Sequence, residues 1–269
     1  MGDVILYGGV DRVKVAIIGG TGLYTPEMFK EEDTISLETP YGKSPKITIG
    51  RIKDRKIFFL PRHGEKHSLP PHKVNYRANI FALKKLGVER ILAINSVGGI
   101  SQFLSPGDFI VPNDFIDFTY RKSTFYDDEV VHIDVSEPYC PELRECLVKA
   151  AEKIVGKVFD GGVYACTNGP RFETKAEIRM LAKLGCDIVG MTGLPEAVLA
   201  REVEICYASI CLVTNYACGI SKSKLTATEV IELVRDKKKE LRKILIKAIM
   251  LIPEERKCLC TRALEGARL

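Results

Sequence analysis

Tryptophan is missing from this chain, and histidine is scarce, with four among 269 residues. No apolar run approaches the roughly 18–20 residues of a membrane span, and the first residues lack the basic, apolar and small-residue sections of a signal peptide. The expected setting is the cytoplasm, with no membrane partner. An excess of one charge sign is also lacking: 40 Lys and Arg against 35 Asp and Glu leave +5. The densest basic run, Lys237 to Lys239, sits beside Asp236 and Glu240, which reads as a solvated helix face and not as a nucleic-acid footprint. The nine cysteines include no CxxC pair, so neither a structural zinc site nor any other metal is expected. Cys258-Leu259-Cys260 is the tightest spacing, in a stretch read as an exposed, charged tail; redox chemistry and a strained bridge are both open for it. Absent Trp with abundant Lys, Arg and Glu leans toward a thermophilic source.

Two nucleotide-binding fingerprints are absent as well. Val13 to Ile18 reads as a buried strand running into Gly19-Gly20-Thr21-Gly22, but Thr25 and Pro26 stand where a dinucleotide-binding loop needs its last glycine and a helix start. Gly42-Lys43-Ser44 lacks the P-loop's first glycine, since Leu37 occupies that place. What remains is a backbone cradle for a phosphate, with the Thr21 hydroxyl beside it. His63, His67 and His72 cluster, two of them at HxxxH spacing, yet Gly64, Pro70 and Pro71 deny the helix that would aim them at a metal. Arg62, with planar paired donors, is the better anion ligand, and His63 stands next to it.

With 46% hydrophobic and 28% charged residues the composition is that of a globular protein, without repeats or a linker. The expectation is one domain over 1–269, its tail at about 253–269. Along the chain, Lys46 to Leu60 reads as a hairpin, Val74 to Leu86 as a helix stopped by Gly87, and Arg90 to Asn95 as a strand ending in Asn95-Ser96-Val97-Gly98-Gly99. Phe109 to Asp117 reads as a strand, and Thr119 to Glu137 as a long polar and aromatic excursion containing His132. Pro141 to Val155 is a helix, Gly161 to Thr167 a strand, Ala176 to Gly185 a helix, and Asp187 to Thr192 a strand. Glu196 to Val203 is a helix, and Ile205 to Thr214 is the most apolar strand, delivering Asn215 at its end. Thr226 and Glu229 form a capping box for a last helix, with Val230, Ile231, Val234, Leu241, Ile244, Leu245 and Ala248 on one side. Strands alternating with helices imply an α/β layer fold whose site is built from loops at strand ends.

Thr167-Asn-Gly-Pro-Arg-Phe-Glu-Thr174 concentrates an aromatic face, a carboxylate and a rigid turn in one short loop. Phe172 as a core residue and Glu173 as a helix-dipole charge is the plain reading; ligand contact is the functional one. The choice between them comes from the whole set of strand-end motifs.

That set resembles the trimeric-type purine nucleoside phosphorylases and methylthioadenosine phosphorylases over residues 13 to about 250. The markers are Gly19 to Gly22, Arg62-His63-Gly64, Asn95 to Gly99, Gly169 to Thr174, Gly190-Met191-Thr192 and Val213-Thr214-Asn215-Tyr216-Ala217. The resemblance implies a three-layer α/β fold with a central mixed sheet flanked by helices. It implies phosphorolysis in purine salvage, in a homotrimer or homohexamer, with phosphate as co-substrate and no cofactor. By the same resemblance Thr21, Arg62, His63, Ser96, Val97 and Thr192 hold phosphate, and Met191 packs on the ribose. Phe172, Glu173, Thr214, Asn215 and Ala217 face the base, with Glu173, Asn215 and His63 closest to the chemistry, while His132 is lent to a neighbouring subunit. Glu173 and Asn215 follow the 6-oxopurine pattern and depart from the adenine pattern, which lacks the Glu and reads Asp-x-Asp. The implied substrates are inosine, guanosine and methylthioinosine, with methylthioadenosine the alternative within the family and a nucleoside-binding regulatory module the alternative outside enzymes. Ala227 and Ile231 are placed near the 5′ end of the nucleoside. The CxC pair, and Cys140 with Cys206, resemble disulfides of hyperthermophilic archaeal members.

Overall fold

Burial in β1 (Lys14–Gly19) alternates between two hydrophobic clusters, with Val15 and Ile17 in one and Ala16 and Ile18 in the other. A strand apolar on both faces has to be covered on both. The structure, a computed structural model describing residues 13–20, 29–65, 67–221 and 225–269, does this with a sheet between two helical layers. The chain continues through β2 (Lys30–Ile35), β3 (Glu38–Thr39), β4 (Gly42–Lys43), β5 (Ile47–Ile52), β6 (Arg55–Pro61), α1 (Tyr76–Lys85), β7 (Arg90–Gly99), β8 (Phe109–Val111) and β9 (Asp114–Phe118). After α2 (Pro141–Val155) come β10 (Phe159–Asp160), β11 (Val163–Thr167), α3 (Lys175–Lys183), β12 (Ile188–Gly190), α4 (Glu196–Glu202), β13 (Cys206–Tyr216) and α5 (Ala227–Leu251).

Among the described residues eleven strands form one mixed sheet, ordered β10-β8-β13-β7-β1-β6-β5-β2, with β9, β11 and β12 on a branch. β1, β6, β7 and β13 run parallel at the centre. Side chains of α2 and α5 cover the Val15 face, and those of α1 and α4 cover the Ala16 face. This is the expected α/β architecture with a central mixed sheet. The branch leaves from the end of β7, where Gly98 and Gly99 pair with β13 on one side and with β12 on the other. That fork gathers the ends of several strands in one place.

A bulge in β13 sharpens the gathering. Val213 lies opposite Val97 while Asn215 lies opposite Gly98, so Thr214 is an extra residue in the ladder. In a regular strand neighbours point to opposite faces. The bulge lifts that constraint and lets Thr214 and Asn215 serve the same site.

Several expectations change. Phe109 to Asp117 is two strands, because Pro112 has no N–H for a ladder; β8 pairs with β13, and β9 joins the branch through β11. The strand expected from Asp187 to Thr192 is ordered only over Ile188–Gly190. Thr226 caps α5 by accepting from the Glu229 N–H at 3.3 Å, while the reciprocal capping box belongs to Thr174 and Glu177 at the start of α3. Ile231 is 56% exposed, so the core stripe of α5 begins at Val234. Residues 253–269 are not an exposed tail: Arg90 donates to the carbonyls of Pro253 (3.1 Å) and Glu254 (2.9 Å), Val131 bridges to Arg268, and Cys258 and Cys260 are buried.

All nine cysteines are free thiols in the structure, so the suggested disulfides are not formed there. Instead Cys140, Cys206, Cys258 and Cys260 converge from distant parts of the chain. The lack of a CxxC pair carries no information about a cluster that tertiary contacts assemble. No helix among the described residues is long and apolar enough to cross a membrane.

Candidate active site

A cavity of about 170 Å³ opens where the sheet forks. Ser96, Val97 and Gly98 from the end of β7 line it, as do Val189 to Thr192 at the end of β12 and just beyond it, Thr214 and Asn215 of β13 with Ala217 after it, and Phe172 and Glu173 from the loop before α3. Arg62 and His63, just beyond β6, close the other end with Gly20 and His67. Arg62, His63, Ser96, Val97, Phe172, Glu173, Met191, Thr192, Thr214, Asn215 and Ala217, all singled out in the sequence, therefore share one cavity. Thr21 lies outside the described residues. His132 does not line the cavity of its own chain: it sits exposed on the excursion, its N–H bonded to the Ala267 carbonyl at 2.8 Å. At the far wall Leu225 and Val230 take the place expected for Ala227 and Ile231, which are exposed. A helix turns about 100° per residue, so an error of one position moves a side chain off the face.

Close backbone approach shapes the end of the cavity near Asn215. A Cβ on Gly98 would lie 3.1 Å from Asn215 Nδ2 and 3.3 Å from Val189, so the glycine lets the amide pack against β7. Gly169 has φ +60, and a Cβ there would meet Met191 Sδ at 2.6 Å. The polarity of Glu173 and Asn215 is set by neighbours. Thr167 Oγ1 donates to Glu173 Oε1 at 2.6 Å, the only side-chain hydrogen bond to that carboxylate among the described residues. Thr214 Oγ1 donates to Asn215 Oδ1 at 2.8 Å, and Asn215 Nδ2 donates to the Tyr216 carbonyl at 2.9 Å. The amide keeps one N–H and one lone pair for a ligand.

At the opposite end Arg62 is fully buried and bound to a partner that the sequence reading passed over. Its Nε and Nη2 form a fork with the Glu196 carboxylate, the second bond at 2.8 Å, and Nη1 donates to the Ile94 carbonyl at 2.9 Å. Tyr207 also donates to Glu196, at 3.0 Å. Burial alone would push Arg62 down, but the Glu196 charge and hydrogen bonds raise its pKa above the ordinary value. Two guanidinium N–H groups remain uncommitted. Thr192 Oγ1 accepts from Asn95 Nδ2 at 2.8 Å, which leaves the hydroxyl proton to point elsewhere. Arg121, also missed, anchors the same loop by donating to the carbonyls of Met191 (2.8 Å) and Leu194 (2.7 Å). The available clue to Glu196 was a lone acid opening the apolar run Ala197 to Ala200.

His63 has a defined tautomer. Its Nδ1 lies 2.8 Å from the Leu69 carbonyl, which can only accept, so Nδ1 carries the proton and Nε2 offers a lone pair. Burial first, and then the Arg62 cation, push its pKa from 6.5 to about 4. A ring neutral at pH 7 can accept a hydrogen bond at Nε2. The same shift makes a stability prediction. As pH falls the unfolded chain takes up this proton first, so the histidine costs nothing above 6.5 and destabilises progressively toward about 4. His63→Gln should flatten that part of the pH profile by up to about 3 kcal/mol, read from denaturant midpoints across the range. An unchanged slope would contradict the assignment.

Comparison with known proteins bears on the family and the fold. Residues 14–250 match the Phosphorylase superfamily. A probable S-methyl-5'-thioinosine phosphorylase from Methanothermobacter thermautotrophicus is 55% identical over 94% of this chain and 89% of its own. The 6-oxopurine nucleoside phosphorylase of Pyrococcus furiosus is 51% identical over 94% of this chain and 98% of its own. Among solved structures, methylthioadenosine phosphorylase from Schistosoma mansoni in complex with adenine superposes with a TM-score of 0.90 at 36% identity, covering 95% of this chain and 99% of that one. On the sequence match, the shared fold and the cavity at the sheet fork, this chain belongs to the phosphorylase superfamily.

Proposed function

We propose that the protein is a nucleoside phosphorylase acting on 6-oxopurine nucleosides. The observation that carries this is the presence of Glu173 and Asn215 in one cavity with Arg62, His63, Ser96 and Thr192. Hypoxanthine and guanine present an N1–H donor and an O6 acceptor. The Glu173 carboxylate accepts the first, and the free Asn215 N–H donates to the second. Adenine offers a lone pair at N1 and an amino donor, which leaves the carboxylate unpaired. Phosphate, held by the remaining Arg62 donors, Thr192 and backbone amides, attacks C1′ of the nucleoside. The leaving base gains negative charge that spreads to O6, where the Asn215 N–H stabilises it without changing the charge of the amide. The sugar gains positive charge above the phosphate. Glu196 keeps the Arg62 fork in place.

The reading needs no metal in the reaction, and phosphate serves as the co-substrate. In this reading His132, exposed and outside the cavity of its own chain, serves the site of a neighbouring subunit in a homo-oligomer. The apolar Leu225 and Val230 at the far wall extend the substrate range to methylthioinosine. Val230→Thr should lower kcat/KM for methylthioinosine relative to inosine by about tenfold; an unchanged ratio would remove Val230 from the 5′ end.

Methylthioadenosine phosphorylase is the second reading, favoured by the names of the superposable structures and the same apolar wall. Glu173 and Asn215 argue against it. The test of the proposal is incubation with inosine or guanosine, with and without inorganic phosphate, followed by phosphorus NMR. Phosphate-dependent release of base with a sugar 1-phosphate is expected. Equal release without phosphate would refute phosphorolysis.

A further inference from the structure

Arg121 is not among the residues that line the cavity, yet its guanidinium is bonded to the backbone of both loops that do the reading and the holding. We propose that Arg121 is a positioning residue for phosphorolysis, fixing the loop of Glu173 and the loop of Thr192 at one separation, a role that presupposes the function proposed above. A short turn brings it there. β9 ends at Phe118, the Thr119 N–H donates to Asp117 Oδ1 at 2.7 Å, and the Arg121 N–H donates to the Thr119 carbonyl at 2.9 Å. The turn leaves Tyr120 fully exposed and sends the next side chain inward.

Nη2 donates to the Asn168 carbonyl at 2.8 Å, in the loop after β11 that carries Phe172 and Glu173. Nη1 donates to the carbonyls of Met191 at 2.8 Å and Leu194 at 2.7 Å, which bracket Thr192 in the segment after β12. Leu194 also stands two residues before Glu196, the partner of Arg62. The face of the guanidinium lies over the Tyr76 ring, 4.9 Å from its centroid. A planar fork can hold two loops at once, whereas a lysine carries the same charge on a single atom.

The arrangement is not the cheapest way to pin a loop. Carbonyls solvate a cation without neutralising it, and no carboxylate pairs with Arg121 among the described residues. Its Nε is buried with no hydrogen-bond partner among them, which costs free energy. The charge left over reaches the cavity: burial and the Arg62 cation lower the His63 pKa most, and Arg121 adds to them. The same field attracts a phosphate dianion.

The test compares wild-type protein with Arg121→Lys, which keeps the charge and loses the span, and with Arg121→Met, which loses both. Steady-state kinetics with inosine and adenosine over a range of phosphate concentrations are read beside thermal melts. Arg121→Lys should lower kcat/KM for inosine by about 10²-fold, the cost of a small misplacement of reacting groups. It should also raise the KM for phosphate and narrow the preference for inosine over adenosine, each by about tenfold. Arg121→Met should weaken phosphate further. Titration calorimetry with inorganic phosphate makes the same comparison for a variant too slow to assay. A role confined to stability lowers Tm and the active fraction but moves neither the phosphate KM nor the base preference, so an Arg121→Lys enzyme with both at wild-type values overturns the proposal. Wild-type protein inert toward both nucleosides in the presence of phosphate refutes the function on which the role rests, and the role with it.

Discussion

Glu173→Gln should lower kcat/KM for inosine by about 10²–10³-fold and turn the preference toward adenosine. The direction follows from Thr167, whose hydroxyl donates to Glu173 Oε1 at 2.6 Å. In the variant the glutamine carbonyl stays with that donor, so its NH₂ group faces the base. Inosine then meets a donor with its N1–H, and two buried donors confront each other. Adenosine presents a lone pair at N1 and accepts. Asn215→Asp acts in the same direction by removing the donor to O6. Steady-state kinetics with both nucleosides check this, and a Glu173→Gln enzyme with wild-type inosine turnover would mean that the carboxylate does not read the base.

The second large effect concerns stability. Glu196→Ala should destabilise the protein by about 3–5 kcal/mol, because it strands the Arg62 cation in a fully buried place. For a chain of this size that lowers Tm by on the order of 10 °C. The pair itself need not be a net source of stability, since desolvating both charges offsets most of their attraction. Hence Glu196→Ala combined with Arg62→Met should recover much of the loss while phosphorolysis is abolished. A double variant as unstable as Glu196→Ala would locate the cost in the cavity left behind and not in the orphaned charge. Thermal melts at one pH, with activity in parallel, separate the two.

How much of this was legible in the sequence depends on how local each signal is. The helix Pro141–Val155 was read to its ends because Pro141 suits a first helical turn and Gly156 a stop. The strand-end motifs were read because glycines and small polar residues punctuate apolar runs. Whether β7 stops at Asn95 or continues to Gly99 was not readable, since its last residues pair with two different strands at the fork. The bulge at Thr214 leaves no mark in composition, yet it decides that Thr214 and Asn215 share a cavity. Glu196 and Arg121 act on partners far away in the chain, so no spacing pattern could name them. The cysteine cluster and the returning C-terminal segment are tertiary in the same sense: Leu259 is 64% exposed between two buried cysteines, which resembles a tail when read one residue at a time.

The central claim is that the cavity is polarised for a keto purine. It is tested most directly by comparing kcat/KM for methylthioinosine and methylthioadenosine at saturating phosphate, because these differ only in the base. A site built on Glu173 and Asn215 should favour methylthioinosine by about 10⁴-fold. Equal or faster turnover of methylthioadenosine would contradict the account.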